Sequence, residues 1–204
     1  PTLINDPRFS PAGVLAPKSK ADMAFVMHIL SWLSTEGTAA IVEFPGVLYR
    51  SGAEAKIREY LVKNNFVDTI IQLASNMFFG AAIATCIIVL KKNKPDNRVL
   101  FIDASQEFDH EGNKNKLGDC HIEKIYNAHI RKEEIAHFST VVTTADIAAK
   151  KYNLSVSTYV EPEDTTVEID IDELNERIEK IVAREAELRT AIDAIVKELK
   201  GSMA

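Results

Sequence analysis

The sequence predicts an α/β fold followed by a helical tail, and three observations carry that prediction. Short runs rich in β-branched residues, at 39–44, 67–73, 84–91 and 98–103, have the length and composition of buried strands. Segments with apolar residues at helical spacing lie among them, the alternation that builds a layered sheet. From Ile171 onward, apolar residues recur in steps of three and four, the seam of a coiled-coil-like helix.

Each element follows in order. Residues 1–19 hold four prolines and no periodic apolar face, which predicts an extended entry. A helix is predicted over Ala21–Leu33, with Ala21, Phe25, Ile29 and Leu33 at helical spacing, Met23, Val26 and Leu30 on adjoining faces, and Glu36-Gly37 as its stop. Ala39–Phe44 reads as a strand stopped by Pro45-Gly46. A second helix runs from Ser51 to Asn64, with Ala55, Ile57, Tyr60 and Leu61 inward and Ser51 and Glu54 as a capping pair.

Strands follow at Val67–Leu73, Ala84–Lys91 and Arg98–Asp103. The first two, joined by a short loop at Asn76–Gly80, are expected to form an antiparallel pair at the edge of the sheet. Polar residues from Glu107 to Lys116 predict a surface loop, and helical spacing returns at His121–Ala136 and Thr144–Lys150. In the tail, Ile171, Leu174, Ile178, Ile181, Leu188, Ile192, Ile195 and Leu199 make the seam, interrupted by Glu185. Asp170 with Glu173 caps its start and Gly201 ends it.

The composition narrows the functional classes. At 204 residues and 46% hydrophobic, the chain can bury about 70% of its unfolded surface without staples or metals. Of the net charge of −6, residues 161–204 carry −7, so the body is close to neutral and offers no bulk basic footprint for nucleic acid. Cys86 and Cys120 stand too far apart in sequence for a C-x-x-C pair, which fits a reducing, cytoplasmic compartment. The 22 uncharged residues from Thr69 to Leu90 are long enough for a membrane span, but Gln72, Ser75, Asn76 and Gly80 interrupt them; two buried strands and a loop are expected instead, and no membrane contact. Pro1, without an initiator Met or a signal-type apolar core, suggests a cut N-terminus.

Neither Asp109-His110-Glu111 nor Asp119-Cys120-His121 offers the paired spacing of a zinc helix, so no metal site is expected. Hydrolase elbows, phosphate loops and dinucleotide fingerprints are absent from the sequence. The run Asn76-Met77-Phe78-Phe79-Gly80 stands out. Its two rings either plug the sheet end, or one of them faces a cleft and stacks on a flat ligand such as a base.

Several segments together carry a resemblance. These are Ala21-Asp22-Met23-Ala24-Phe25-Val26-Met27-His28, the stretch Gly37-Thr38-Ala39-Ala40-Ile41-Val42-Glu43-Phe44-Pro45-Gly46-Val47-Leu48, and Glu54 with Ile57, Arg58 and Leu61. With Ile71-Gln72-Leu73-Ala74-Ser75-Asn76-Met77-Phe78, the run from Ile83 to Lys91, Val99-Leu100-Phe101-Ile102-Asp103-Ala104-Ser105, Tyr152-Asn153-Leu154 and Tyr159-Val160, the chain resembles the modification subunit of type I restriction-modification systems. That family consists of N6-adenine DNA methyltransferases.

The resemblance covers about residues 5–160 and implies the second half of a Rossmann-like, S-adenosylmethionine-dependent methyltransferase sheet with flanking helices, then a helical tail. It implies two regions, 1–160 from the catalytic domain and 161–204 as the tail. The family's glycine-rich cofactor turn and Asn-Pro-Pro-Phe/Tyr tetrapeptide are missing, so no catalytic residue is assigned and S-adenosylmethionine is expected to bind only the full-length enzyme. Asn5-Asp6-Pro7-Arg8-Phe9 matches the segment that follows the tetrapeptide in the family. Glu43-Phe44-Pro45-Gly46 departs from the family's usual Leu-Pro.

By the same resemblance, Phe78 is expected to pack on an adenine swung out of the duplex, with Asn76 and Phe79 beside it. Ile178, Ile181, Leu188 and Ile192 are expected either to pack on their own domain or to meet the specificity subunit. DNA, the restriction subunit and a second modification subunit complete the implied partners. Two alternatives stand beside this: a non-catalytic scaffold or DNA-binding module of the same fold, and an unrelated α/β interaction domain.

Overall fold

Strand alternation decides how the sheet is covered. In the computed structural model, which describes residues 3–163 and 171–201, the elements run in chain order α1 (Asp22–Trp32), β1 (Thr38–Glu43), α2 (Ala53–Lys63), β2 (Val67–Leu73), β3 (Cys86–Lys91) and β4 (Arg98–Ala104). A small hairpin of β5 (Asp109–Glu111) and β6 (Lys114–Lys116) follows, then α3 (Asp119–Arg131), β7 (Ser139–Thr143), α4 (Thr144–Ala149) and α5 (Ile171–Gly201). The chain divides into two compact units, Pro1–Glu163 and Asp164–Ala204.

In the first unit, five strands lie in the order β1-β3-β2-β4-β7. β2 and β4 are parallel, while β3 runs against both β1 and β2, and β7 against β4. Period-two alternation sends Cys86, Ile88 and Leu90 to one face with Val99 and Phe101, where α1, α2, α4 and the segment Leu154–Val160 cover them. Ile71, Leu73, Val89, Leu100 and Ile102 point to the other face, under Ile125 and Ala128 of α3 and Phe138. A bulge between Val67 and Thr69 lets Val67 and Ile70 share a face despite their odd spacing. Phe101 is fully buried and stacks on Tyr159 with ring centroids 4.2 Å apart. Full burial of such a side chain is worth about 2–3 kcal/mol.

The charge-free stretch from Thr69 to Leu90 is β2, a loop and β3, and no described helix is long and apolar enough to cross a membrane. The β2–β3 pair is antiparallel but central, not at the edge: β1 and β7 hold the edges. Position within a sheet depends on which distant strands pair, and local patterning carries none of that.

Five further expectations are corrected. Helix α1 buries Met23, Val26, Met27 and Leu30, whereas Phe25 is exposed, because nearly every position of this helix is apolar and periodicity cannot choose its face. It ends at Leu33, before Glu36-Gly37, and Gly37 is instead tight against Leu33, whose Cδ1 would stand 2.7 Å from an added Cβ. Helix α2 starts after Gly52 with no side-chain cap, since Glu54 is buried beside Arg50. Helix α3 stops at Arg131, leaving room for β7, and the predicted surface loop contains the β5–β6 hairpin.

The second unit contains α5, 31 residues long and about 46 Å at 1.5 Å per residue. Asp170 of the proposed cap, and the side chains of Glu173 and Leu199, lie outside the described residues.

Candidate functional site

The strand directions bring three connections to one end of the sheet. β1, β2 and β4 all run toward it, so Glu43-Phe44-Pro45, the loop 74–85 and the β5–β6 hairpin all follow from strands that end there. In open α/β sheets this carboxyl end is where ligands bind.

The loop presents its rings to solvent. Phe79 is fully exposed and Phe78 is 41% exposed, while Met77 is the residue that packs on the core of the α3 face. Neither ring therefore plugs the sheet. Asn76 takes φ +57° and Gly80 φ +76°, the left-handed values that turn the chain back, and a bridge joins Phe78 to Ala81. The Asn76 amide is spent on the β5–β6 hairpin: its Oδ1 accepts from Lys114 Nζ at 2.9 Å and its Nδ2 donates to the Asn113 carbonyl. Of the three residues expected to meet a base, the two rings are presented and Asn76 shapes their support.

Sequence reasoning missed the hairpin that makes these contacts. Its signal was Gly112-Asn113, a two-residue turn pair with Gly112 at φ +60°. Lys114 Nζ also donates to the Phe78 carbonyl at 3.0 Å, and Asn115 Nδ2 to the Ser75 carbonyl at 2.8 Å.

Beside the loop, the end of β1 is built around two arginines. Arg50 lies over the Phe44 ring, 5.0 Å from its centroid, and pairs with Glu54 at 3.4 Å and Asp22 at 3.7 Å. Gly46 makes room for this stack, because a Cβ there would stand 2.6 Å from Arg50 Nε and Nη2 and from Phe44 Cε1. Phe44 thus serves as the arginine's platform. Burial, and then the nearby Asp22 charge, push the Glu43 carboxyl above its ordinary range. Arg58 is buried and donates to three carbonyls, those of Val47, Arg50 and Tyr152. Burial lowers its pKa to about 10, with the Glu54 charge opposing.

The opposite end of the sheet carries a polar cluster that the sequence did not announce. Asp68 is buried and accepts from Lys132 Nζ at 2.7 Å and Thr69 Oγ1 at 3.0 Å, with Lys91 3.6 Å away. Burial acts to raise the Asp68 pKa, but the hydrogen bond and charge of Lys132, with Lys91, outweigh it and hold the carboxyl below its usual range. Burial pulls Lys94 down to about 8. These ammonium groups are engaged internally, Lys132 with Asp68 and Thr69, and Lys94 with the Val67 and Arg98 carbonyls.

His121 accepts from the Gly118 N–H at 3.0 Å and so caps α3. Among the described residues, no group of three or more His, Cys, Asp or Glu side chains could hold a metal ion. Among the described residues, the buried side-chain polar atoms without a hydrogen-bond partner are His28 Nδ1, Asn65 Oδ1 and Thr85 Oγ1.

On α5, Ile178, Ile181, Leu188 and Ile192 fall on one seam and are 49–66% exposed. Lys180–Glu176 and Arg184–Glu187 pair along its surface.

A family model for N-6 DNA methylases matches residues 1–168. The chain is 49% identical, over 97% of its length, to the type I restriction enzyme MpnII methylase subunit of Mycoplasma pneumoniae. It is 33% identical, over 93% of its length, to the MjaVII methylase subunit of Methanocaldococcus jannaschii. It spans about a third of the length of these relatives, 37% and 33%. Among solved structures, a type I restriction-modification methyltransferase subunit from Streptococcus thermophilus is similar, with a TM-score of 0.77 and 46% identity over 78% of this chain and 34% of that one.

Proposed function

Because the chain belongs to the N-6 DNA methylase family, as a relative of type I modification subunits, we propose that it is the C-terminal portion of such a subunit. The whole protein would methylate adenine N6 in a specific DNA sequence, with S-adenosylmethionine supplying the methyl group. The share assigned to these residues is capture of the target base and assembly, not the chemical step. A cytoplasmic setting fits this role.

The observation that carries the reading is the loop 74–85, which holds Phe78 and Phe79 out at the carboxyl end of the sheet. Methylating a base inside a duplex requires extruding it, which costs its stacking on both neighbours. An aromatic face held at the site returns part of that cost, since π-stacking needs no specific hydrogen bonds and works for any base. Phe78 is the better candidate of the two because its carbonyl is anchored to Lys114, whereas Phe79 next to it is fully exposed. The open edge of β1 supports the reading of a half-sheet: among the described residues, Thr38-Ala39-Ala40-Ile41-Val42-Glu43 pairs with β3 alone, and Val42 is exposed. An edge strand without lysine, proline or a bulge leaves backbone groups that another strand can pair with.

The tail supports assembly. Half-exposed isoleucines and a leucine on one seam, with Glu185 at a core position, favour a complementary partner helix over self-pairing. We assign that partner as the specificity subunit; the restriction subunit and a second modification subunit would complete the complex on DNA.

The test is Phe78→Ala in the full-length, assembled enzyme. It should weaken specific DNA binding or slow methylation by about 1–3 kcal/mol, the scale of one base–aromatic stack. Normal activity with a lowered melting temperature would instead make the ring a structural one.

A further inference from the structure

The aromatic loop has little to hold it from within. Between β2 and β3, its own backbone contributes the Phe78–Ala81 bridge and the bond from Asn76 N–H to the Ala82 carbonyl at 3.2 Å. Apart from Met77, which packs on the core of the α3 face, its support comes from the hairpin. The Asn115 N–H donates to the Asn76 carbonyl at 3.1 Å, and the Asn115 side chain to the Ser75 carbonyl at 2.8 Å. The Lys114 ammonium bridges Asn76 Oδ1 at 2.9 Å and the Phe78 carbonyl at 3.0 Å, and the Asn76 amide returns a bond to the Asn113 carbonyl.

All of these contacts come from three consecutive residues, Asn113 to Asn115, and fall on Ser75, Asn76 and Phe78. The hairpin does nothing comparable for the core: none of its six strand residues is buried. A two-stranded ribbon of this size is marginal by itself in water, so the loop and the hairpin hold each other. Lys114 contributes the only charged donor among these contacts, and charge-assisted bonds are the stronger kind.

We propose that the β5–β6 hairpin is a latch for the aromatic loop, and that Lys114 is a positioning residue for base capture, acting through Asn76 Oδ1 and the Phe78 carbonyl. This rests on the reading of Phe78 given above. A ring fixed before the base arrives loses no ordering entropy on contact, so more of the stacking energy goes to holding the extruded base. Without the ammonium, the Phe78 carbonyl keeps only the longer bond from the Ala81 N–H at 3.3 Å, and the ring samples other directions.

The experiment uses the full-length subunit assembled with its specificity subunit, and a duplex of the sequence that complex methylates with 2-aminopurine replacing the target adenine. Lys114→Met should lower the emission of the extruded base and cut kcat for methylation of the unmodified duplex by about tenfold or more, the scale of lost charged hydrogen bonds. KM for S-adenosylmethionine and the melting temperature should stay unchanged. Lys114→Arg should recover most of both signals, because it keeps a cationic donor at that place. Asn115→Ala, which loses the bond to Ser75, should move emission in the same direction and serves if Lys114→Met fails to fold.

Phe78→Ala separates the two ideas. If it keeps emission and rate, base capture by Phe78 fails and the latch falls with it. If it loses both while Lys114→Met and Asn115→Ala keep them, the latch alone fails. The double variant should be no slower than Phe78→Ala, since the lysine acts through the ring; additive losses would overturn the proposal. So would a lowered melting temperature of Lys114→Met with unchanged emission, which would make the hairpin scaffold only.

Discussion

Replacing Arg58 by Met tests whether the turn after β1 is held by hydrogen bonds or by packing. The guanidinium is 2% exposed, and its donors reach the carbonyls of Val47 at 2.8 Å, Arg50 at 2.7 Å and Tyr152 at 3.0 Å. Met keeps most of the apolar stem, so the loss is confined to those three bonds. An unsatisfied buried carbonyl costs about 1–3 kcal/mol, and hydrogen bonds from charged donors are worth about 1.5–3 kcal/mol. Two of the three bonds are only partly buried, so water can replace some of them. Removing the arginine also relieves the cost of burying its charge, the same cost that brings its pKa to about 10.

Those opposing effects leave a net destabilisation of about 3 kcal/mol, a large share of a typical 5–15 kcal/mol. Urea unfolding followed by circular dichroism should show a lower midpoint with an unchanged slope. Arg58→Lys should recover less than half of the loss, since one ammonium cannot span three carbonyls on separate segments. A loss below about 1 kcal/mol for Arg58→Met would refute the reasoning, because water would then be satisfying the turn.

Asp68→Asn should cost about 3 kcal/mol near neutral pH, leaving Lys132 and Lys91 without their shared carboxylate. The folded pKa of Asp68 lies below its ordinary 3.8, so its stabilisation is present above that value and is lost as pH falls through the folded pKa. The gap between wild type and variant should therefore close in acid, and a gap constant from pH 7 to pH 3 would refute this. Ile181→Lys with Leu188→Lys should abolish co-purification with the specificity subunit while leaving the circular dichroism of the first unit intact, since charge in a desolvated seam is costly. Retained co-purification would place the contact elsewhere. The 204 residues by themselves should show neither methylation nor micromolar affinity for S-adenosylmethionine by calorimetry, and a clear binding isotherm would overturn the assignment of the cofactor pocket to other residues.

What the sequence by itself determined is whatever short-range pattern controls. Strand β2 was legible residue for residue, because a short apolar, β-branched run between polar segments has few other ways to bury itself. The α5 seam and the aromatic pair in the loop were legible for the same local reason. Only the tertiary structure decided the rest. Helix α1 could have buried either of two apolar faces, and the sheet beneath it chose Met23, Val26, Met27 and Leu30. Helix α3 ends at Lys132, a residue with no C-cap preference, which takes φ +50° with its ammonium on Asp68 and Thr69, more than sixty positions away. Ser139–Thr143 carries a β-branched run, yet it becomes a strand only because β4 offers it an edge. The hairpin at Asp109–Lys116 looked like solvated polar loop, since its bonds to the rest of the fold go to Ser75, Asn76 and Phe78. Bonds between segments so far apart in the chain leave no periodic trace, because each depends on where the sheet brings two ends together.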